Sequence, residues 1–156
     1  MGNITLALAG NPNTGKTSLF NLLTGSRQHV GNWPGVTVER KEGHFSYEGM
    51  NFTLVDLPGI YSLGAASIDE QVASEFLIKE KPELAITVVD ASNLERSLYL
   101  VVQMLEAGQP LIIALNMADV AENKGIRIHR EKLEKALGVP VVPTVARERK
   151  GLEDLV

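Results

Sequence analysis

Residues 10–17, with the sequence GNPNTGKT, have the residue types and spacing of a phosphate-binding loop, G-x-x-x-x-G-K-[ST]. A glycine-rich turn lets several backbone N–H groups point at one compact anion, and the positive end of the following helix adds to them. Lys16 is expected to reach the β- and γ-phosphates, and the Thr17 hydroxyl to take one position on Mg²⁺. The expected nucleotide contacts here are Gly10, Asn11, Asn13, Thr14, Gly15, Lys16, Thr17 and Ser18.

A second motif, Asp56-Leu57-Pro58-Gly59, follows the apolar run at residues 52–55. A carboxylate at a strand end opposite a phosphate loop can hold Mg²⁺ through its water shell. Gly59 has no side chain, so its backbone N–H can approach a γ-phosphate. On their own, these residues favour a plain turn. Beside a phosphate loop, we interpret Asp56 as a Mg²⁺ ligand and Gly59 as a catalytic phosphate contact.

A third motif, Asn116-Met117-Ala118-Asp119, follows the apolar run at residues 111–115 and fits the N-x-x-D pattern of guanine recognition. Asp119 is expected to accept hydrogen bonds from guanine N1–H and the exocyclic amine, a pair that adenine does not present. Asn116 is expected either to brace the loop or to contact N7. Met117 stands where Lys is usual and supplies an apolar contact to the base. An Asn-Asp loop that only caps the next element is the alternative.

In this order, the motifs resemble those of small GTPases of the translation-factor-like class, and more closely those of the N-terminal G domain of FeoB, the prokaryotic ferrous-iron transporter family. The resemblance covers nearly the whole chain. It is carried by residues 10–17, 30–39 (VGNWPGVTVE), 56–63 (DLPGIYSL) and 89–100 (VDASNLERSLYL). The NWPGVTVE segment is far more specific than the general GTPase motifs.

The resemblance implies two switch segments, at residues 26–41 and 57–68. The first is expected to be a loop between the first helix and a hairpin, since a loop of that length is usually functional or mobile. Gly35, Val36 and Thr37 are expected to contact the nucleotide, with Thr37 on Mg²⁺ and the γ-phosphate; a strand-edge Thr is the alternative. GTP is expected to order both segments and hydrolysis to release them.

Position 60 is Ile, where many GTPases carry a Gln that orients the attacking water. A hydrophobic side chain cannot do that, so slow intrinsic hydrolysis is expected. The resemblance implies a K⁺ ion in place of an arginine finger, held by Asn13 and by the carbonyls of Gly31 and Trp33. A simple turn residue is the alternative for Asn13. The Trp33 side chain is expected to cover the nucleotide, to contact a partner or to pack against the first helix.

The last loop of the guanine pocket is expected at residues 144–147, TVAR. The family has a Ser-Ala pair there, whose backbone N–H contacts guanine O6. Ala146 is kept, whereas Val145 replaces the Ser and removes a hydroxyl that can brace the loop. This departure predicts altered nucleotide affinity or release.

The chain has 156 residues, of which 44% are hydrophobic and 22% charged, as expected for one globular domain. No apolar run approaches the roughly 20 residues that span a bilayer. The absence of Cys excludes disulfides and thiolate metal sites. A formal net charge of −4 argues against a nucleic-acid partner. His29, His44 and His129 lack metal-ligand spacing, and we interpret them as surface or loop residues.

Strand and helix patterns alternate along the chain. Strands are expected at residues 3–9, 43–48, 51–56, 84–90, 111–116 and 140–143, with a hairpin near Gly49, and helices at 16–24, 68–79, 94–107 and 129–137. This order predicts an α/β fold of the Ras-like P-loop GTPase type, with a doubly wound, mostly parallel six-stranded sheet and one antiparallel strand. All three motifs then lie at carboxyl ends of strands, where ligands bind in such sheets.

Residues 1–156 are expected to form one GTP-binding domain whose last helix, beginning near residue 151, is cut short. The resemblance implies a helical regulatory domain and a membrane permease beyond residue 156, at the cytoplasmic face of the inner membrane. A small accessory protein of the iron-uptake system and a homo-oligomer are further partners it allows. The expected function is slow, K⁺-stimulated, Mg²⁺-dependent GTP hydrolysis that regulates or gates ferrous-iron uptake. The alternatives are a soluble GTPase of ribosome or tRNA biology and a nucleotide-dependent interaction switch with negligible hydrolysis.

Overall fold

The computed structural model describes residues 3–12, 14–25, 28–47, 49–64, 66–125 and 130–143, with only the backbone described at 118–120 and 143. Seven strands form one sheet. They are β1 (Asn3–Gly10), β2 (Gln28–Asn32), β3 (Glu39–Tyr47), β4 (Met50–Asp56), β5 (Leu84–Asp90), β6 (Leu111–Asn116) and β7 (Val141–Pro143). The helices are α1 (Lys16–Thr24), α2 (Ile68–Lys79), α3 (Leu94–Glu106), α4 (Ala118–Asn123) and α5 (Arg130–Leu137), with a 3₁₀ turn at Ala91–Asn93.

The strand order is β2-β3-β4-β1-β5-β6-β7. β3 runs antiparallel to both of its neighbours, whereas the remaining neighbouring pairs are parallel. The expected α/β fold, with a mostly parallel sheet and one antiparallel strand, is therefore confirmed. The expected count of six strands is wrong, because β2 adds a seventh at the sheet edge.

The additional strand lies inside the segment that was expected to be a loop, residues 26–41. Gln28–Asn32 pairs with the first half of β3, with Gly31 opposite Arg40, and β3 begins at Glu39 rather than at residue 43. Most of β2 is exposed, so its side chains carry no apolar alternation for a sequence pattern to detect. Only the backbone ladder at the sheet edge defines this strand.

Helices cover both faces of the sheet and form one hydrophobic core on each face. A different set of helices contributes to each of these two cores. On one face, Leu19 and Phe20 of α1 pack against Leu8 and Leu54 of the central strands. On the other face, α2 and α3 contribute buried side chains such as Phe76, and the partly buried Leu133 and Leu137 of α5 pack beside them. Central parallel strands buried on both faces explain the continuous apolar run of β1.

Local signals account for several element ends. Tyr47 pairs with Met50 across the two-residue turn that contains Gly49, whose φ is +80°, which confirms the expected hairpin. Ser67 caps α2 by accepting a hydrogen bond from the Glu70 N–H at 3.1 Å. α4 was not expected, since six residues are too few to show a helical period. In the described part of the chain, no helix is long and apolar enough to cross a membrane.

Candidate nucleotide-binding site

The three motifs meet at one edge of the sheet, as expected. Gly10 ends β1, Asp56 ends β4 and Asn116 ends β6, and all three strands belong to the parallel part of the sheet. Parallel strands place their carboxyl ends at the same edge. The phosphate loop, the Asp56 motif and the guanine-recognition motif therefore surround one region of the surface.

The phosphate loop is held by its own buried groups. The Thr14 hydroxyl donates a hydrogen bond to the Asn11 carbonyl at 2.9 Å, and both residues are buried. A Cβ on Gly10 would lie 2.9 Å from the Val88 carbonyl oxygen of β5. The loop thus leaves β1 so close to β5 that only Gly fits at position 10.

Asn116 connects the guanine-recognition motif to the phosphate loop. Its side-chain amide donates a hydrogen bond to the Thr14 carbonyl at 2.8 Å, and the residue is 4% exposed. A Cβ on Gly15 would lie 2.1 Å from the same amide nitrogen, and Gly15 has φ +88°. Of the two roles expected for Asn116, the structure shows the bracing one. Met117 has φ +61°, a left-handed conformation at the turn between β6 and α4.

Lys16 and Asp56 form a buried ion pair beneath the loop. The Lys16 ammonium group donates to Asp56 Oδ1 and, at 2.9 Å, to the Leu57 carbonyl. Burial raises the pKa of Asp56, and the Lys16 charge partly offsets that rise. Each side chain compensates the buried charge of the other.

The expected Mg²⁺ ligands are oxygen donors on three separate elements. Thr17 is exposed in the first turn of α1, Asp56 ends β4, and Thr37 is exposed in the turn after β2. Hydroxyl and carboxylate oxygens suit Mg²⁺, which prefers few protein ligands and keeps several waters. The donor set therefore fits this ion. Ser18 is exposed beside Thr17, and Gly35, with φ +75°, turns the chain towards Val36 and Thr37.

The second switch begins against the phosphate loop. A Cβ on Gly59 would lie 3.1 Å from Pro12 Cγ and 3.2 Å from its Cα, so the two backbones are in close contact. The next N–H, of Ile60, donates to the Gly10 carbonyl at 3.1 Å. The Ile60 side chain is 3% exposed and belongs to the core. It thus lies in the protein interior, where a water-orienting group would be of no use.

Trp33 anchors the first switch segment to α2. Its ring is 6% exposed and meets Phe76 edge-on at 5.6 Å, with the Arg40 guanidinium 4.7 Å from the ring centroid. Packing against the first helix was one expectation for this side chain; the ring contact is with α2 instead. The Trp33 carbonyl accepts from the Val36 N–H at 3.3 Å. That carbonyl and the one of Gly31, on strand β2, are the two expected K⁺ ligands in the described chain.

Sequence reasoning did not single out the contact between Tyr61 and Arg96. The Arg96 guanidinium donates to the Tyr61 hydroxyl and lies 4.3 Å from its ring centroid. The buried Asn11 amide donates to the Arg96 backbone carbonyl at 3.4 Å. α3 is thereby connected both to the second switch and to the phosphate loop. The only signal in the sequence was that both residues lie in stretches that carry the family resemblance.

Four expected site residues lie outside what the structure describes. Asn13, Val145 and Ala146 are not among the described residues, and of Asp119 only the backbone is described, in α4. The K⁺ ligand Asn13, the base contact of Asp119 and the effect of Val145 therefore stay predictions.

This sheet, with a phosphate loop after β1 and an N-x-x-D loop after β6, defines a G domain of the P-loop GTPase class. Residues 4–156 match the N-terminal family model of "Ferrous iron transport protein B". The chain belongs to the FeoB family.

Relatives support this at both sequence and structure level. The Fe(2+) transporter FeoB of Escherichia coli (strain K12) is 56% identical over 159 residues, covering 99% of this chain and 21% of that protein. The cytosolic domain of T. maritima FeoB in a GDP form is 51% identical with a TM-score of 0.95, covering 99% of this chain and 61% of that one. The FeoB G domain from Methanococcus jannaschii is 50% identical with a TM-score of 0.89, covering 99% and 94%. The chain spans about a fifth of the length of the curated relative.

Proposed function

We propose that this domain binds GTP with Mg²⁺, hydrolyses it slowly, and so regulates or gates ferrous-iron uptake by a full-length FeoB protein. The hydrogen bond from Asn116 to the Thr14 carbonyl carries the proposal. It couples the loop expected to read the base to the loop expected to hold the phosphates, so that one molecule can occupy both. A guanine nucleotide, rather than a lone phosphate, matches this arrangement.

Guanine is selected by Asp119, and Met117 covers the base with an apolar side chain. The left-handed backbone at Met117 directs the chain sharply from β6 into α4, on which Asp119 lies. The GDP form of the T. maritima relative supports a guanine nucleotide as ligand. Val145 and Ala146 complete the pocket, with Val145 altering nucleotide release.

The phosphates are held by the backbone of residues 10–15 and by Lys16, whose ammonium group leaves Asp56 to reach them. Thr17, Thr37 and Asp56 would hold Mg²⁺, which supplies charge neutralisation on the β- and γ-phosphates. The Gly59 backbone N–H contacts the γ-phosphate from a position next to Pro12. Catalysis then rests on positioning and electrostatic stabilisation by Asn13, Lys16, Thr37 and Gly59.

Slow hydrolysis follows from the buried Ile60, which cannot orient water. Asn13 and the Gly31 and Trp33 carbonyls would hold K⁺, which would supply positive charge that compensates in part. The Trp33 carbonyl accepts one hydrogen bond, from the Val36 N–H, and its second lone pair is available for K⁺.

In this proposal, other parts of a full-length FeoB protein transport the iron. Among the described residues, no three His, Cys, Asp or Glu side chains are grouped so that they could hold a metal ion. The curated relative is almost five times as long as the aligned segment, which supports other domains in the full-length protein, here proposed to be a helical regulatory domain and a membrane permease. The domain then acts at the cytoplasmic face of the inner membrane, with a small accessory protein and a homo-oligomer as further assemblies.

A second function is favoured by one observation, the burial of Ile60. A domain without a water-orienting side chain can work as a nucleotide-dependent interaction switch with negligible hydrolysis. The guanine site is the same in both cases, so binding data alone do not separate them.

Steady-state GTP hydrolysis with Mg²⁺, in KCl and then in NaCl at equal ionic strength, tests the proposal. Faster turnover in KCl is expected, together with loss of that difference in Asn13→Ala. Equal and barely detectable turnover in both salts would favour the interaction switch. Preference for ATP over GTP in a competition assay would contradict the proposed guanine site.

A further inference from the structure

Among the described residues, Arg96 is one of two α3 residues whose side chains form hydrogen bonds with the second switch; the other, Gln103, accepts from the Leu63 N–H at 2.7 Å through its Oε1. Arg96 lies in the first turn of α3, and its guanidinium both stacks on Tyr61 and donates to the Tyr61 hydroxyl. Tyr61 comes two residues after Gly59, the expected γ-phosphate contact. Both side chains are exposed, so the pair lies at the surface, where such a contact can break and re-form at small free-energy change.

A small polar cavity of about 130 Å³ lies between Arg96 and the phosphate loop. Its lining includes Asn11, Pro12 and Thr14 from that loop, and Asp90 and Arg96 on the α3 side. The cavity therefore lies between Arg96 and Pro12, the residue of the phosphate loop that Gly59 contacts.

Asn11, which lines this cavity, carries a buried hydrogen-bond acceptor that no described residue uses. The residue is 4% exposed, and its Oδ1 finds no hydrogen-bond partner among the described residues. Its amide nitrogen is already used on the Arg96 carbonyl. Leaving a buried acceptor unsatisfied is unfavourable, so a donor is expected here in at least one state of the protein.

Asp90 provides a second acceptor at the same cavity. Its Oδ1 accepts from the Ser92 N–H at 2.8 Å and from the Ser92 hydroxyl at 2.6 Å. Neither of these bonds uses Oδ2. A planar guanidinium with several N–H donors can serve an amide oxygen and a carboxylate oxygen together.

We propose that Arg96 is a positioning residue for GTP hydrolysis, shared between Tyr61 in the second switch and Asn11 in the phosphate loop; this rests on the proposed function. When the γ-phosphate draws Gly59 towards itself, Tyr61 moves with it and leaves Arg96. The released guanidinium turns into the cavity and donates to Asn11 Oδ1, with Asp90 as counter-ion. Arg96 thereby fixes the phosphate loop only when the second switch is in its GTP position.

The contacts that Arg96 already makes keep this exchange local. Tyr61 and Asn11 each contact Arg96, one through the guanidinium and the other through the backbone carbonyl. Tyr61 moves with the second switch, and on the α3 side only the Arg96 side chain has to change rotamer. The hydrogen bond from the Asn11 amide to the Arg96 backbone carbonyl is present in both positions of the guanidinium, and it remains in Arg96→Ala. It therefore does not contribute to the coupling free energy that a cycle of Arg96 and Asn11 variants measures.

Double-mutant cycles test the exchange, with the thermal midpoint measured on the GDP-loaded and GMPPNP-loaded protein. With GDP, Arg96→Ala and Tyr61→Phe are each expected to lower the midpoint by about 2–4 °C, and the double variant by no more than one of them. With GMPPNP, these two substitutions become additive, and Arg96→Ala becomes non-additive with Asn11→Ala. Asn11→Asp, which keeps an acceptor oxygen, retains the coupling and provides a test if Asn11→Ala does not fold.

Kinetics separate positioning from a merely structural role. Arg96→Ala is expected to lower kcat several-fold at unchanged KM, and Arg96→Lys to restore only part of it. Tyr99→Phe, an exposed tyrosine on the same helix, is the matched control for Tyr61→Phe and should change neither quantity.

Two results would overturn the inference: equal coupling of Arg96 and Tyr61 with both nucleotides, or additive effects of Arg96 and Asn11 with GMPPNP. Binding of mant-GDP by the wild-type protein is measured first. If the wild type does not bind it, the proposed function itself fails, and the inference with it. If the wild type binds and hydrolyses GTP but the cycles show no exchange, the inference alone fails.

Discussion

The ammonium group of Lys16 pairs with the carboxylate of Asp56 beneath the phosphate loop, where the two side chains are 10% and 11% exposed. Under the proposed function each has another partner, phosphate for Lys16 and Mg²⁺ for Asp56. In the absence of nucleotide and metal, the ion pair therefore neutralises the two buried charges that phosphate and Mg²⁺ would neutralise in the bound state. Binding must separate the pair, so the loss of the pair offsets part of the binding free energy.

Lys16→Ala should destabilise the protein in a pH-dependent way. Removing one partner of a buried pair leaves an uncompensated charge, and about 3 kcal/mol of stability is expected to be lost at neutral pH. Without Lys16 the pKa of Asp56, already raised by burial, rises further. A carboxyl whose folded-state pKa exceeds its unfolded value binds protons more tightly when folded, so stability falls as pH rises between the two values. Thermal unfolding of the variant from acidic to neutral pH measures this loss.

The matched controls for Lys16→Ala are two further variants. Lys16→Ala/Asp56→Asn removes the ionisable group and should abolish the added pH dependence. Lys79→Ala breaks an exposed pair with Glu75, at 4.0 Å, and should change stability little. A Lys16→Ala protein with wild-type stability across this range would show that the ion pair is not a determinant of folding.

Gly15→Ala should abolish nucleotide binding. Its Cβ would lie 2.1 Å from the Asn116 side-chain nitrogen, so the Asn116–Thr14 hydrogen bond has to give way. The left-handed backbone, at φ +88°, adds about 1–2 kcal/mol of strain for any non-glycine residue. Mant-GDP titration measures the affinity.

Gly138→Ala is the matched control for that collision. Gly138 has a similar left-handed φ of +73°, but a Cβ added there would meet no atom within 4 Å. It should lose a comparable amount of stability and keep its mant-GDP affinity. Equal loss of affinity in both variants would point to backbone strain rather than to the collision with Asn116.

The parts of the site that sequence could predict are those with fixed spacing. Lys16, Asp56 and Asn116 belong to motifs that each follow a short apolar run directly, so the strand end and the polar residues are encoded together. Once the strands are parallel, their carboxyl ends meet at one edge. The order of the motifs therefore predicted both the fold class and the location of the site.

The parts that sequence could not predict depend on tertiary contacts. Strand β2 is exposed at the sheet edge and forms only through its backbone ladder with β3, which no side-chain period records. Trp33 packs on Phe76, more than forty positions away in sequence, so nothing near position 33 indicates α2 as its neighbour. The periodic pattern of apolar and polar residues shows which face of an element is exposed to solvent. It does not show which residues, distant in sequence, pack against that element.

Trp33 should report the state of the first switch by fluorescence. It is the only Trp in the chain, and its ring is 6% exposed against Phe76 and Arg40. If GTP draws Thr37 onto Mg²⁺, the Trp33 turn opens and the indole becomes more exposed. A red shift of emission is expected when GMPPNP and Mg²⁺ are added in KCl, and a smaller one in NaCl.

Phe76→Leu provides the control for the fluorescence experiment. It removes the edge-on ring contact at 5.6 Å, so emission of the nucleotide-free variant should already be shifted towards the GMPPNP-bound value. Emission that does not change on adding GMPPNP to the wild type would mean that Trp33 stays on α2 throughout the nucleotide cycle.

Ile60→Gln should lower stability without accelerating hydrolysis. The Ile60 N–H is fixed to the Gly10 carbonyl at 3.1 Å, and the side chain is 3% exposed in the core. A Gln amide at that place would be buried without a partner, at a cost of about 1–3 kcal/mol, and would not meet the attacking water. Thermal unfolding and steady-state GTP hydrolysis measure the two effects. Ile78→Gln, at a position that is 69% exposed, is the matched control and should alter neither. Faster hydrolysis by Ile60→Gln would show instead that side chain 60 leaves the core in the GTP-bound domain, and that slow turnover is set by its chemistry rather than by its burial.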